Sequence, residues 1–139
     1  MKSLSEVLNE NRDKFALVIP QLKDTSKLLP INFGINNDEL AKINYDNIMQ
    51  FSNYIKQKLD NQQKLAAYGG YLEDREMYRR SKLFRSGSEV RSIHLGIDIW
   101  VPIDTPVMAF YEGTVHNLGI NDVHGDYGGV IVLEHVLQD

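Results

Sequence analysis

The chain has 139 residues, 15 Lys and Arg against 19 Asp and Glu, a formal net charge of −4 and no cysteine. That length suits one domain, or a helical arm followed by a small domain, with enough chain to bury a core. Mild acidity without a lysine-rich face argues against a nucleic-acid partner, and the lack of cysteine excludes disulfides and thiolate-bound zinc, leaving His, Asp and Glu as metal ligands.

The N-terminus, Met1-Lys2-Ser3-Leu4-Ser5-Glu6, has no apolar leader core. The longest apolar run, Phe15-Ala16-Leu17-Val18-Ile19, is too short for a signal core or a membrane span, so the chain reads as cytoplasmic with no membrane span. Residues 3–15 predict a short helix: Ser3 is the N-cap, Glu6 completes a capping box, and Leu4, Val7 and Leu8 share one side. Pro20 and Pro30 bracket an irregular segment with Asp24, Thr25 and Ser26 as turn formers, and residues 32–37 around Gly34 form a loop. Asp38 then caps a long amphipathic helix over residues 38–59, whose stripe of Leu40, Ile43, Ile48, Phe51, Ile55 and Leu59 packs on the domain behind it.

Composition changes after Asp60-Asn61-Gln62-Gln63, which places a helical region at 1–63 and a β-rich domain at 64–139. The fold class is α+β. The Gly69-Gly70 pair marks a turn or strand end with close backbone approach. Arg75, Arg79, Arg80, Lys82, Arg85 and Arg91 follow, beside Glu73, Asp74, Glu76 and Glu89. They form either a solvated, charge-paired face or a face from which one arginine receives a substrate carboxylate.

The most informative stretch is Ser92-Ile93-His94-Leu95-Gly96-Ile97-Asp98-Ile99-Trp100-Val101-Pro102. Alternation with period 2 predicts a half-buried strand. Ile93, Leu95, Ile97, Ile99 and Val101 are expected to meet a core, while His94, Gly96, Asp98 and Trp100 present an imidazole and a carboxylate. Both are ligands for a divalent metal such as zinc. On a flat strand their Cα atoms would stand roughly 13 Å apart, too far for one ion. A shared ion therefore requires a bend, and Gly96 permits it. Without a metal, Asp98 reads as a carboxylate paired with an arginine.

Short strands complete the chain: residues 106–111, a turn at Glu112-Gly113, and residues 114–118 as partner. Residues 119–128 form a polar loop containing His124, and residues 129–136 a strand ending in Glu134 and His135. His116 reads as structural and His124 as a solvated loop residue.

Arg91-Ser92-Ile93-His94-Leu95-Gly96-Ile97-Asp98-Ile99-Trp100, Pro102, Thr105-Pro106-Val107, Glu112-Gly113-Thr114-Val115 and Ile131-Val132-Leu133-Glu134-His135 together resemble the lysostaphin-type (LytM-domain) zinc metallopeptidases. Those enzymes cut peptide bridges in bacterial peptidoglycan, and the resemblance covers residues 68–139. It implies an antiparallel β-domain of the duplicated-hybrid-motif, barrel-sandwich type. It implies Zn2+ held by His94 and Asp98, and His135 assisting hydrolysis of a peptide bond by a metal-activated water. The implied partners are peptidoglycan cross-bridges or stem peptides rich in glycine or D-amino acids. Their place outside the membrane, periplasmic or extracellular, conflicts with the leaderless N-terminus.

The family completes its site with a His-x-His motif one hairpin further on, and no His-x-His occurs here. A catalytic zinc takes three protein ligands and a water. The third ligand is therefore missing, the chain is expected to be a fragment of a longer protein, and alone it is expected to be inactive. The family's tyrosine upstream of the first ligand also has no match in residues 86–89. Two alternatives keep the fold without the chemistry: a non-catalytic peptide-binding or interaction module, and a carrier or phosphotransfer domain that uses one histidine and has no need of Asp98.

Overall fold

The structure is a computed structural model, and it describes residues 2–80, 84–86, 88–123 and 125–137. It is α+β and divides into two compact units, residues 24–104 and residues 1–23 with 105–139. The boundary expected at 63/64 falls inside the first of these. The reason is a strand in the N-terminal region, β1 (Leu28–Pro30), which pairs in parallel with β2 (Ala66–Gly69).

In the 24–104 unit, β2 also pairs antiparallel with β7 (Asp98–Trp100), giving a three-stranded sheet in the order β1-β2-β7. Past the Gly69-Gly70 pair the chain turns through residues 70–72 into β3 (Glu73–Asp74), which pairs with β6 (Ile93–His94). A short helix, α3 (Glu76–Arg80), follows β3, and β4 (Arg85–Ser86) pairs with β5 (Glu89–Val90).

The helix expected over 38–59 is split. Residues Asp38–Lys42 form a 3-10 turn capped by Asn37, and α2 (Ile48–Gln62) starts from a second cap, Asn47, which accepts the Gln50 N–H at 3.1 Å. Between them lies Asn44-Tyr45-Asp46, where the Asn44 side chain accepts the Asp46 N–H at 3.0 Å. Asn and Asp side chains compete for the backbone in this way, and they end helices by doing so. Apart from Ile48, the apolar stripe packs as expected. Leu40 and Ile55 are buried with Leu29, Ile31, Phe33 and Ala67, and Ile43, Phe51 and Leu59 lie against them. Ile48, the first residue of α2, is exposed. Phe33 is the hub, its ring centroid 4.9 Å from that of Trp100 and 5.5 Å from that of Phe51.

The strand predicted over 92–102 is broken at residues 95–97 into β6 and β7, and its inner face is the reverse of the expected one. Ile93, Leu95, Ile97 and Ile99 are exposed, whereas Trp100 packs on the core. Register explains the reversal. Trp100 stands opposite Ala67, which is wholly buried, and cross-strand partners share a face.

In the other unit, α1 (Leu4–Glu10) begins at Ser3, and the capping box with Glu6 is formed. Residues 106–111 make no strand. Instead the Met108 N–H donates to the Val18 carbonyl at 2.8 Å and the Ala16 N–H to the Phe110 carbonyl at 2.6 Å. The partner of β8 (Thr114–Asn121) is β9 (Gly128–Glu134), in an antiparallel hairpin longer than expected. A register shift between Val115 and Asn117 leaves His116 exposed at a bulge. His124 lies outside the described residues. Among the described residues, no helix is long and apolar enough to cross a membrane.

Candidate metal centre

Two strand pairs that bend at the same level create the site. Gly69 stands opposite Asp98 in β2–β7, and Glu73 stands opposite His94 in β3–β6. Residues 70–72 on one strand and 95–97 on the other carry the chain from one sheet to the next. The Leu72 N–H donates to the His94 carbonyl at 2.8 Å across this corner. Leu72 has φ 57° and Gly70 φ 102°, so the corner depends on left-handed backbone.

The bend brings the His94 and Asp98 side chains together, with Nε2 3.6 Å from Oδ1. Two ligand atoms at zinc-bonding distance and tetrahedral angle lie roughly 3.4 Å apart, close to the separation seen here. Gly96 serves here for space and not for its φ. A Cβ on it would stand 3.0 Å from His94 Nε2.

Asp98 also makes the ion pair foreseen as its alternative. Its Oδ2 lies 2.6 Å from Arg75 Nη2. Arg75 has a side chain only 5% exposed, with Nε donating to Glu73 Oε2 at 2.8 Å and Nη1 to the Tyr78 hydroxyl at 3.2 Å. Its guanidinium carbon lies over the rings of Phe33 and Tyr78, 5.7 and 5.4 Å from their centroids. Burial alone would lower its pKa. The Glu73 and Asp98 carboxylates outweigh burial, and the pKa is raised, so the charge is permanent. Glu73 Oε1 in turn accepts the Phe33 N–H at 2.6 Å, which ties the charged chain to the centre of the core.

Gly70 closes this arrangement from behind. A Cβ there would collide with Arg75 Nη2 and lie 2.6 Å from His94 Nδ1. His94 Nδ1 is buried and has no hydrogen-bond partner among the described residues. The neighbouring arginine belongs to a separate pair: Arg79 Nη2 contacts both Asp74 oxygens, at 2.9 and 2.7 Å. Hydrogen bonds from Ser92 and Arg79 hold the Asp74 carboxyl below its ordinary pKa.

His135 belongs to the other unit. Its Nδ1 lies 2.9 Å from the Glu112 carbonyl, and its ring meets Phe110 edge-on at 4.6 Å. A carbonyl can only accept, so Nδ1 is the donor in this contact. Gly113 makes room for the ring, since a Cβ there would stand 2.6 Å from Nδ1.

Of the residues read from sequence, His94, Asp98 and Gly96 converge, and no third carboxylate or imidazole joins them as a metal-binding group among the described residues. Arg75 and Glu73 stood in the sequence as two members of a longer charged run, and only the paired glycines before them marked the spot. No family model matches the chain, and no curated protein or solved structure is significantly similar to it.

Proposed function

We propose that the chain carries part of the site of a zinc metalloendopeptidase of the lysostaphin type, acting on peptide bonds in peptidoglycan cross-bridges or stem peptides. The observation that carries this reading is the 3.6 Å approach of His94 Nε2 to Asp98 Oδ1 across a bend that a flat strand would not make. Zinc, when bound, supplies a Lewis acid that polarises a carbonyl and activates water. His94 and Asp98 would supply two of the three protein ligands such a site needs, and no third joins them among the described residues. His135, whose Nδ1 donates to the Glu112 carbonyl, is given the role of general base in this reading. In this reading the two sheets joined at the corner are the beginning of a barrel-sandwich domain, and the compartment is that of the cell wall.

The test is a titration of Zn(II) into the chain, followed by the His94 ring signals in NMR spectra. Saturable shifts that disappear in His94→Ala and weaken in Asp98→Asn support the reading. Zinc uptake indifferent to both substitutions removes it. With two ligands in hand, the 139-residue chain should hydrolyse glycine-rich peptides no faster than buffer. Chelator-sensitive hydrolysis would reveal a third ligand within it.

A second reading, a non-catalytic peptide-binding or interaction module, is favoured by the Arg75–Asp98 ion pair, which already neutralises the carboxylate. Peptide binding that persists in metal-free protein and in Asp98→Asn selects it.

A further inference from the structure

We infer that Arg75 is a positioning residue for the metal pair: it pins one oxygen of Asp98 so that the other is left aimed at His94. This rests on the metal reading proposed above.

Asp98 has a side chain 35% exposed and, on its own, would turn freely about its side-chain bonds. Arg75 removes that freedom at Oδ2, and Oδ1 is then the oxygen that faces Nε2. The arginine can do this because two of its nitrogens are hydrogen-bonded and buried. Nε donates to Glu73 and Nη1 to the Tyr78 hydroxyl, while Nη2 has no hydrogen bond among the described residues and meets Asp98 as an ion pair. Glu73 is fixed by the Phe33 N–H. The result is one continuous chain from the core backbone through Glu73, Arg75 and Asp98 to His94.

Two oppositely signed effects decide whether such an arginine helps or hinders a metal. Its charge repels a cation taken up by the same carboxylate. Against that, Glu73 sits on the guanidinium at 2.8 Å and offsets its field, while a pre-aimed ligand avoids the ordering cost of capture. With Glu73 in place, positioning wins. Partners in the outer shell of this kind typically change metal affinity by about 10–100-fold when removed. A lone surface arginine of ordinary mobility would have neither effect, which is why burial of this one matters.

The experiment is the same Zn(II) titration on the full chain, comparing wild type with Arg75→Gln, Glu73→Gln, the double substitution, and Arg79→Gln as a control on the separate Asp74 pair. The expected result is an apparent dissociation constant raised about 10-fold or more by Arg75→Gln and raised by Glu73→Gln. The double variant should be no worse than Arg75→Gln alone, because the two act in series, and Arg79→Gln should match wild type. A purely structural Arg75 would lower the unfolding temperature and leave the dissociation constant unmoved, which overturns the inference. Tighter binding by Arg75→Gln would mark the arginine as a competitor and overturns it equally. Should Arg75→Gln fail to fold, Glu73→Gln decides alone, an unchanged constant counting against. Wild type that takes up no zinc sinks the metal reading itself, an outcome distinct from one in which wild type and Arg75→Gln bind equally well.

Discussion

At the scale of single residues, the site depends on two glycines for different reasons. Gly70 adopts φ 102° with no room for a Cβ beside Arg75 and His94. Gly70→Ala should therefore lose about 1–3 kcal/mol of stability from backbone strain alone, read as a lower denaturant midpoint. Gly96 has ordinary φ, and its Cβ would meet only His94 Nε2 at 3.0 Å. Gly96→Ala should leave stability nearly intact while weakening zinc uptake, and equal zinc affinity in this variant would show that the ring can give way. Phe33, 2% exposed, is the third sensitive residue. Phe33→Ala should cost about 3–5 kcal/mol, checked by the same unfolding curve. The need for a bend at Gly96 was legible in the sequence, because ligands four residues apart on a flat strand cannot share an ion. Arg75 was not, since spacing alone does not single out one basic residue among six whose acidic neighbours are equally plentiful.

At the scale of elements, the helix α2 is joined to the 3-10 turn before it by side chains and not by continuous backbone. Tyr54 donates to Glu39 Oε2 at 3.0 Å, and Lys58 Nζ pairs with the same oxygen at 2.5 Å. Hydrogen bonds from Lys58 and then Tyr54 lower the Glu39 pKa, while burial and the Glu39 carboxylate push Tyr54 up to about 12. The signs are opposite. The Glu39 contribution is present above the ordinary carboxylate range and is lost as pH falls through and below it. The Tyr54 contribution is present at neutral pH and is lost as pH rises from about 10 towards 12, because the unfolded chain gives up that proton first. Stability measured against pH should decline in both windows, and Tyr54→Phe should abolish the alkaline Tyr54 part. Asn47→Ala removes the cap of α2 and should cost about 1 kcal/mol. The apolar stripe of this region was readable, and it masked the break at residues 43–47, although Asn44, Asp46 and Asn47 are poor helix formers and good caps. Alternation likewise separated the two faces of the 92–102 strand without saying which one turns inward. The polar face does so because Arg75 and Glu73 satisfy it from within.

At the scale of the whole chain, the two units differ in what stabilises them. The 24–104 unit has a buried cluster with Phe33 at its centre, while the β8–β9 hairpin exposes Val115, Leu118, Ile120, Ile131 and Val132. A two-stranded hairpin with little burial is marginal on its own. Amide hydrogens of β2 and α2 should therefore exchange more slowly than those of β8 and β9, despite the longer ladder of the hairpin, and slower exchange in the hairpin would mean that its apolar faces are covered in solution. One further consequence follows from the contacts that join residues 15–18 to residues 108–111. The 81 residues of the 24–104 unit lie between the two stretches that make up the other unit, and they can condense before the later stretch is synthesised. Residues 15–18 therefore gain their partners only after the 24–104 unit is able to fold.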